Sequence, residues 1–263
     1  MTTSIHHITA IAGDPQANLD FYHKLLGQRL VKKTINFDDP GTYHFYFGDE
    51  IGSPGTILTF FPWRGAVRGR RGNGEVAATA YTIRPESADY WQKRLRDGGV
   101  KAGERQQRFG ADVLPFQDPD GMIVELIVDE ALINDEGPAA LQACEDGPIP
   151  AEHVLRGFHG ATLWVADAAG TARLLADSLG YTLAGQEGNR YRFQAAGNAP
   201  GRTIDLLERP GEIHGRQGAG SVHHIAFRTA DDDEQQEYLS ALRAEGYRVT
   251  PVQDRQYFHS IYF

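Results

Sequence analysis

The sequence contains little of what marks an extracellular or membrane protein. Its one cysteine, Cys144, cannot form an intrachain disulfide, which is typical of a reducing compartment. No apolar run approaches the ~18 residues of a membrane span, and the N-terminus lacks the basic and then apolar stretches of a secretion signal. We therefore expect a cytoplasmic protein without a membrane partner, in which Cys144 is an incidental thiol.

An excess of positive charge is also missing. The formal net charge is −9, which argues against a nucleic-acid partner. The basic segment 64–71 is the local exception and is interpreted as a solvated loop. With 41% hydrophobic and 23% charged residues, the 263-residue chain is long enough for one large domain or two ordinary ones. Small molecules are the expected partners, and a homo-oligomer is left open.

One order of elements recurs along the chain. The first unit opens with an apolar strand-like run at 6–12, continues with a helical pattern that Gly27 ends, and closes with strand-like runs at 29–37, 42–47 and 56–61. This order is βαβββ. Three further units are predicted: strand 76–83, helix 86–97 and last strand 122–128; strand 161–165, helix 168–179 and last strand 203–207; and strand 222–227, helix 232–245 and strands 247–252 and 257–263.

The repeat predicts an α+β fold of four βαβββ modules in two pairs. Residues 1–130 form the first domain, 131–155 an acidic linker rich in proline and glycine, and 156–263 the second domain. Glycine introduces the last strand of modules one to three, at Gly55, Gly121 and Gly201. Module four stops at Phe263 after its third strand, so we expect it to lack its final strand, either because the natural chain continues or because this copy is degenerate.

Two histidine pairs stand at the same phase of the repeat, His6-His7 in module one and His223-His224 in module four. Side chains alternate across a strand, so only one member of each pair can face a given side. His6 and His223 share apolar faces and are expected to pack under the helices. His7 and His224 are expected to point into a cup of curled strands. Two neutral imidazoles converging there suit a divalent transition metal, the alternative being two hydrogen-bonded core histidines.

Other polar residues occupy comparable strands. Modules two and three lack histidine at these positions, so their acids Glu125 and Asp205 are interpreted as structural or vestigial. The polar, aromatic segment 254–263 contains Arg255 and Tyr262, which beside a metal could donate hydrogen bonds to an anionic, oxygen-rich intermediate. The alternative is a surface arginine and an amphipathic strand tyrosine.

Six stretches resemble one known family. They are 6–9 (His-His-Ile-Thr), 31–34, 43–49, 52–56, 222–227 and 254–263. The chain is similar over essentially its whole length to the vicinal oxygen chelate (glyoxalase/bleomycin resistance/dioxygenase) superfamily, and to its hydroquinone-type ring-cleaving dioxygenases. The resemblance implies two vicinal-oxygen-chelate domains. It also implies an Fe(II) centre, with Mn(II) as a substitute, that opens hydroquinone- or catechol-type rings with O2.

The resemblance also implies roles for particular residues. His7 and His224 fall on the metal-ligand positions, Tyr262 on an active-site tyrosine, Arg255 on an arginine near the site, and His6 on a histidine behind the ligands. In the family a glutamate ligand follows the Ser-Ile-Tyr-Phe stretch, and nothing follows Phe263 here. We therefore expect the 263-residue chain to bind iron weakly and to turn over little.

Two other functions stay open at this point. A glyoxalase-type isomerase or lyase would use Ni or Zn with glutamates beside the histidines, and Thr59 stands where such a glutamate would be. A non-catalytic binding module would hold a small molecule in the cup without metal. The metal content separates these two functions from the dioxygenase.

Overall fold

A computed structural model describes residues 4–36, 39–130, 147–255 and 258–263. Cys144, most of the predicted linker, and the predicted strand residues Phe37 and Tyr257 lie outside these ranges. Within them, no helix is both long enough and apolar enough to span a membrane.

The first two modules follow the βαβββ order. Module one comprises β1 (Ile5–Ala12), α1 (Pro15–Leu19, continued by a π-helical turn over Asp20–Leu25), β2 (Arg29–Ile35), β3 (Tyr43–Gly48) and β4 (Ile57–Pro62). Module two comprises β5 (Glu75–Ile83), a 3-10 turn (Pro85–Ser87), α2 (Ala88–Asp97), β6 (Gln106–Arg108), β7 (Ala111–Gln117) and β8 (Ile123–Val128). The first helix begins at a local cap, Asp14, whose side chain accepts a hydrogen bond from the backbone N–H of Ala17.

The third module repeats this order and the fourth repeats it in part. After a 3-10 turn (Ala151–His153), module three comprises β9 (Phe158–Val165), α3 (Ala168–Arg173, continued by a π-helical turn over Leu174–Ser178), β10 (Thr182–Glu187), β11 (Arg190–Gln194) and β12 (Thr203–Glu208). Module four comprises β13 (Val222–Phe227), α4 (Asp232–Ala244), β14 (Gln253–Asp254) and β15 (His259–Ser260). The predicted α+β class is confirmed.

Both large sheets are built from distant parts of the chain. One has five strands in the order β13-β1-β4-β3-β2 and joins modules one and four. The other has eight, in the order β10-β11-β12-β9-β5-β8-β7-β6, and joins modules two and three. Each sheet therefore combines strands from both sides of residues 131–155, and the division of the chain into domains there remains a prediction.

The core lies between these sheets and the helices. Both the sheets and the helices contribute large side chains that are fully buried, among them Tyr22, Trp91, Phe47, Phe60 and Phe158. Tyr22 of the first helical segment packs its ring 4.6 Å from Phe60 of β4. In the five-stranded sheet one face is therefore apolar, and the polar residues of the same strands lie on the other face.

The end of the chain differs from the sequence prediction. Segment 247–252 is not a strand, and the strand predicted at 257–263 is reduced to β15. Pro251 has no N–H to donate to a ladder, and the two segments meet through Thr250 N, which donates to the Tyr262 carbonyl at 3.0 Å. Among the described residues from 247 to 263, the strand pairing that forms is that of β14 with β15.

The basic segment 64–71 is a loop in which Arg64, Arg68 and Arg70 are exposed, as predicted. It lies against the loop before β13 through isolated bridges of Arg68 with Ala219 and of Arg70 with Arg216. The Arg68 side chain donates to the Asp120 carbonyl at 2.7 Å, and Arg71 donates to the Gly121 carbonyl at 2.6 Å. These arginines therefore satisfy backbone carbonyls that strand pairing leaves open.

Candidate active site

The two histidine pairs lie on neighbouring strands. β1 and β13 pair antiparallel with Thr9 opposite His224, and the register shifts both before His7 and after Thr9. β4 pairs with β1 on its other edge and places Thr59 beside Thr9. The polar face of this sheet is the floor of a cup, and the first and fourth modules both contribute to it.

The four imidazoles form a nearly symmetric arrangement. His6 Nδ1 lies 3.0 Å from His7 Nδ1, and His223 Nδ1 lies 2.9 Å from His224 Nδ1. The Nε2 atoms of His7 and His224 lie 3.3 Å apart. In each pair, the first histidine thus engages Nδ1 of the second, and Nε2 of the second histidine is directed towards the cup.

Burial keeps the rings of His7 and His224 neutral. It lowers the pKa of His7 well below its usual value, and the neighbouring rings of His224, His6 and His44 lower it further. Burial also lowers the pKa of His224 to about 4, with contributions from His223 and Arg255. At pH 7 both rings therefore offer a lone pair and no positive charge, which is the form that binds a metal.

The donor set fits a transition-metal ion. Two nitrogens bound to one ion at about 2.1 Å, with a right angle or slightly more between them, would lie about 3.0–3.3 Å apart. The Nε2 atoms of His7 and His224 are 3.3 Å apart. Ligating histidines commonly use the other ring nitrogen to bond a partner that fixes their orientation, and His6 and His223 are such partners. Within the described ranges, no group of three or more His, Cys, Asp or Glu side chains is placed to hold a metal.

Residues from the end of the chain complete one side of the cup. The Tyr262 ring lies 6.3 Å from the His224 ring in an edge-on arrangement, and the Arg255 guanidinium lies 5.5 Å from the Tyr262 ring centroid. Phe258, which is 45% exposed, has its ring 6.4 Å from that of His7. The structure thus brings together all five residues named from the sequence: His6, His7, His224, Arg255 and Tyr262.

His223 differs from its predicted environment. The sequence placed it on an apolar face under a helix, yet it is exposed, with its ring 5.7 Å from that of Phe61. His6 is half-buried and lies against the His7 ring. Strand alternation failed here because the register of β1 with β13 shifts twice within the paired segment.

Contacts through Tyr46, His44, Thr59 and Thr9 form a row that ends at His224, and the sequence did not predict that these side chains meet. His44 Nε2 lies 2.9 Å from Thr59 Oγ1, Thr59 Oγ1 donates to Thr9 Oγ1 at 2.8 Å, and Thr9 Oγ1 lies 3.0 Å from His224 Nε2. Tyr46 Oη lies 2.9 Å from His44 Nδ1. Burial lowers the pKa of His44 to about 3, so it too is neutral. The spacing of His44 and Tyr46, two positions apart on β3, was the signal that they share a face.

Aromatic rings line the wall above this row. Phe61 lies 4.4 Å from the His44 ring and stacks on Trp63 at 5.7 Å. The Trp63 indole donates to Asp39 at 3.1 Å, which fixes the ring. A flat aromatic molecule in the cup would meet ring faces on this side and hydrogen-bonding groups on the floor.

The equivalent cup of modules two and three is filled by ion pairs. Arg108 binds both oxygens of Glu125 at 2.7 and 3.0 Å, and Arg192 binds both oxygens of Asp205 at 2.8 and 2.9 Å. Burial alone would raise the pKa of Asp205, but Arg192 and Arg190 lower it below its usual value. Gly160 stands on β9 where a Cβ would meet the Thr203 carbonyl at 1.9 Å. These contacts agree with a structural role for both acids.

Comparison with known proteins places these features in one family. The family profile described as the Glyoxalase/Bleomycin resistance protein/Dioxygenase superfamily matches residues 4–126 and 153–263. The chain is 45% identical over 262 residues to "Putative ring-cleaving dioxygenase MhqO" of Bacillus subtilis, covering 100% of this chain and 81% of that protein. It is 35% identical over 270 residues to the chlorohydroquinone/hydroquinone 1,2-dioxygenase of Sphingobium indicum, covering 98% and 80%.

Solved structures give the same relationship. A crystal structure titled as a "putative dioxygenase" from Bacillus subtilis matches with a TM-score of 0.90 and 45% identity, covering 100% of this chain and 81% of that one. Glyoxalase I from Zea mays matches with a TM-score of 0.66 at 15% identity, covering 97% and 83%. The second likeness concerns the fold alone.

Proposed function

We propose, from the premise that this chain belongs to the Glyoxalase/Bleomycin resistance protein/Dioxygenase superfamily, that it is a ring-cleaving dioxygenase for hydroquinone- or catechol-type aromatics. The reaction would use O2 and one Fe(II) ion held by His7 and His224, with Mn(II) as a substitute. The observation that carries this proposal is the 3.3 Å separation of two neutral Nε2 atoms whose Nδ1 atoms are both engaged.

The ligands are fixed by their neighbours. His6 and His223 hold the Nδ1 atoms of His7 and His224, so both ligating rings enter the cup in a set orientation. When bound, an Fe(II) ion supplies electron transfer between an ionised aromatic diol and dioxygen. Two histidines occupy only part of its coordination sphere, which leaves positions for both reactants.

The remaining groups act on the substrate. Phe61 and Trp63 provide stacked faces against which an aromatic ring can lie. Arg255 supplies positive charge on the side of His224 and can orient or neutralise an ionised hydroxyl. Tyr262 stands beside His224 and can donate its phenolic hydrogen to oxygen-centred negative charge as the ring opens.

Oxygen uptake tests the proposal. The protein is loaded anaerobically with Fe(II) and mixed with air-saturated buffer and a panel of hydroquinones and catechols. Oxygen consumption equal to the loss of aromatic absorbance supports a dioxygenase, and the panel identifies the substrate class. A chain that binds nickel or zinc and isomerises a thiol adduct without O2 would contradict it, as would ligand binding without any metal.

A further inference from the structure

Two loops, residues 64–73 and 213–219, lie side by side and form a surface that we call the basic ribbon. Backbone hydrogen bonds join the loops, as where Ala219 N donates to the Val67 carbonyl at 3.0 Å. A Cβ at Gly218 would lie 2.3 Å from that same carbonyl oxygen. No side chain fits between the loops there, so the larger side chains of the ribbon lie on its outer surface.

The outer surface of the ribbon carries charge of one sign. The exposed charged side chains on it are arginines: Arg64, Arg68, Arg70 and Arg216. Within the described parts of the chain, none of these arginines forms an ion pair with a carboxylate. Arg70 and Arg216 face each other in an antiparallel bridge, and like charges at facing positions are destabilising. The ribbon is therefore a positive surface in need of negative charge, on a chain whose net charge is −9.

Exposed apolar side chains lie among these arginines. Val67 is 73% exposed, more than any other large hydrophobic side chain that the structure describes as exposed, and Ile213 on the facing loop is 53% exposed. Exposed apolar surface marks interaction sites, and arginine is enriched where proteins bind each other. The ribbon therefore suits a protein partner that brings carboxylates.

The chain itself carries a matching surface at the start of α4. Its exposed acids, which we call the acidic cluster, are Asp231, Asp232, Asp233 and Glu237. The ribbon precedes β13 and the acidic cluster follows it. Since β13 has six residues, the two surfaces are separated by a strand roughly 20 Å long.

Two-fold symmetry makes this arrangement self-complementary. In a two-fold dimer, a patch of one copy that contacts a second patch of its partner is met by the reverse contact on the other side of the axis. If the β13 strands of two copies run in opposite directions, the ribbon of each copy comes to the acidic cluster of the other. Both contacts then pair opposite charges.

We infer that the basic ribbon of one copy docks on the acidic cluster of a second copy, and that the two reciprocal contacts form a two-fold dimer. The inference depends neither on the metal nor on the reaction. Because exposed charges set the pairing, salt weakens the dimer: ions screen such charges beyond about 10 Å at 0.1 M ionic strength and beyond about 3 Å at 1 M.

Sedimentation velocity tests the dimer directly. The 263-residue chain is expected to dimerise at low ionic strength, with a dissociation constant that rises about tenfold or more as the salt is raised towards 1 M. A monomer at low ionic strength would overturn the inference. An association that salt leaves unchanged would overturn it as well.

Charge reversal on each surface tests which patches meet. Arg70→Glu combined with Arg216→Glu places acids against acids, and Asp233→Lys combined with Glu237→Lys places bases against bases, so each double variant alone is expected to be monomeric. An equimolar mixture of the two variants restores opposite charges at both contacts and is expected to dimerise like the parent. A mixture that stays monomeric would contradict the pairing of these two surfaces.

A matched variant controls for net charge. Arg96→Glu combined with Arg173→Glu makes the same change in charge at exposed arginines outside the ribbon, and it should dimerise like the parent. Val67→Asp leaves the arginines in place and should weaken the dimer, because it puts a carboxylate at the apolar part of the ribbon. Circular dichroism and urea unfolding establish that each variant is folded. Equal dissociation constants in the parent, the ribbon variants and the control would refute the docking.

The effect of the ribbon is thus separable from the candidate active site. Oxygen uptake is not needed as a readout, and a dimer without any dioxygenase activity would count against the proposed function alone. Conversely, a monomeric dioxygenase would count against the dimer alone.

Discussion

His7 Nε2 lies 3.3 Å from His224 Nε2, although the two residues are 217 positions apart in the chain. They meet because β1 and β13, from the first and last modules, are neighbours in one sheet. At this distance one ring can donate its Nε2 hydrogen to the other. If both rings instead carry their hydrogen on Nδ1, the two Nε2 lone pairs can be accepted by one cation, as the proposed function requires.

Replacing either ligand should abolish metal binding. His7→Ala or His224→Ala leaves a single imidazole, whereas His6→Ala or His223→Ala frees a ligand ring to rotate and should weaken affinity about 10–100-fold. Titration of the metal-free protein with Fe(II) under argon measures this. His214→Ala, at an exposed histidine outside the cup, is the control and should match the parent. Equal affinity in all variants would place the metal elsewhere.

The site formed by His7 and His224 should hold iron weakly. Among the residues described, the site offers two neutral nitrogens and no carboxylate ligand, so the charge of the ion is poorly neutralised. Iron analysis after dialysis is expected to find well below one equivalent. One tightly held equivalent would contradict this prediction and would require a further ligand.

Tyr262→Phe should slow turnover far more than it weakens iron binding. The ring stands 6.3 Å from that of His224, so its hydroxyl can act on the substrate without being a ligand. Loss of one donor to developing negative charge costs about 10²-fold in rate. Single-turnover oxygen consumption at saturating Fe(II) measures the effect. An unchanged rate would remove Tyr262 from the mechanism.

The buried carboxyl of Asp118 should make stability depend on pH. Burial raises its pKa from 3.8 to about 6, although Met122 N and the Tyr22 hydroxyl donate to it. Between these pH values the folded state binds more protons than the unfolded state, so the free energy of unfolding falls as pH rises from about 4 to about 6, by about 3 kcal/mol.

Asp118→Asn isolates this contribution. The amide keeps an oxygen for the backbone donors and cannot ionise, so the difference in unfolding free energy between parent and variant should change across this pH range. Urea unfolding at pH 4, 5, 6 and 7 measures it. A constant difference would show that Asp118 titrates at its ordinary value.

The ion pairs of the second cup should matter for stability and not for metal. Asp205→Asn leaves Arg190 and Arg192 without their buried carboxylate, and breaking such a pair costs about 3–5 kcal/mol. Urea unfolding measures the loss, and metal titration should be unchanged. Asp97→Asn, at an exposed pair with Lys93, is the control and should leave stability nearly unchanged. Loss of metal binding in Asp205→Asn would contradict a structural role.

Much of the fold followed from the sequence because its elements are locally determined. The apolar strand-like runs predicted β1, β5 and β13, and the runs introduced by glycine predicted β4, β8 and β12, each to within a few residues. The strand predicted at 247–252 was wrong because the segment contains Pro251, which has no N–H to donate to a neighbouring strand. The joining of module one to module four depends on which strands meet across the sheet, and local patterns do not specify it.

The candidate site, too, could be predicted from the sequence only in part. His7 and His224 could be named because two pairs at one phase of a repeat are a strong pattern. The environment of His223 could not be predicted, since a register shift moves a side chain out of strict alternation. The row through His44 and Thr59 brings three strands together, and only the paired register of β1, β3 and β4 reveals it.

Oxygen uptake by the Fe(II)-loaded chain, compared with His7→Ala, tests the central claim most directly. The account predicts oxygen consumption coupled one-to-one to loss of a hydroquinone or catechol in the parent, at a low rate in proportion to the iron bound, and none in the variant. Bound iron in the parent without any oxygen consumption across the panel, or equal consumption in His7→Ala, would contradict it.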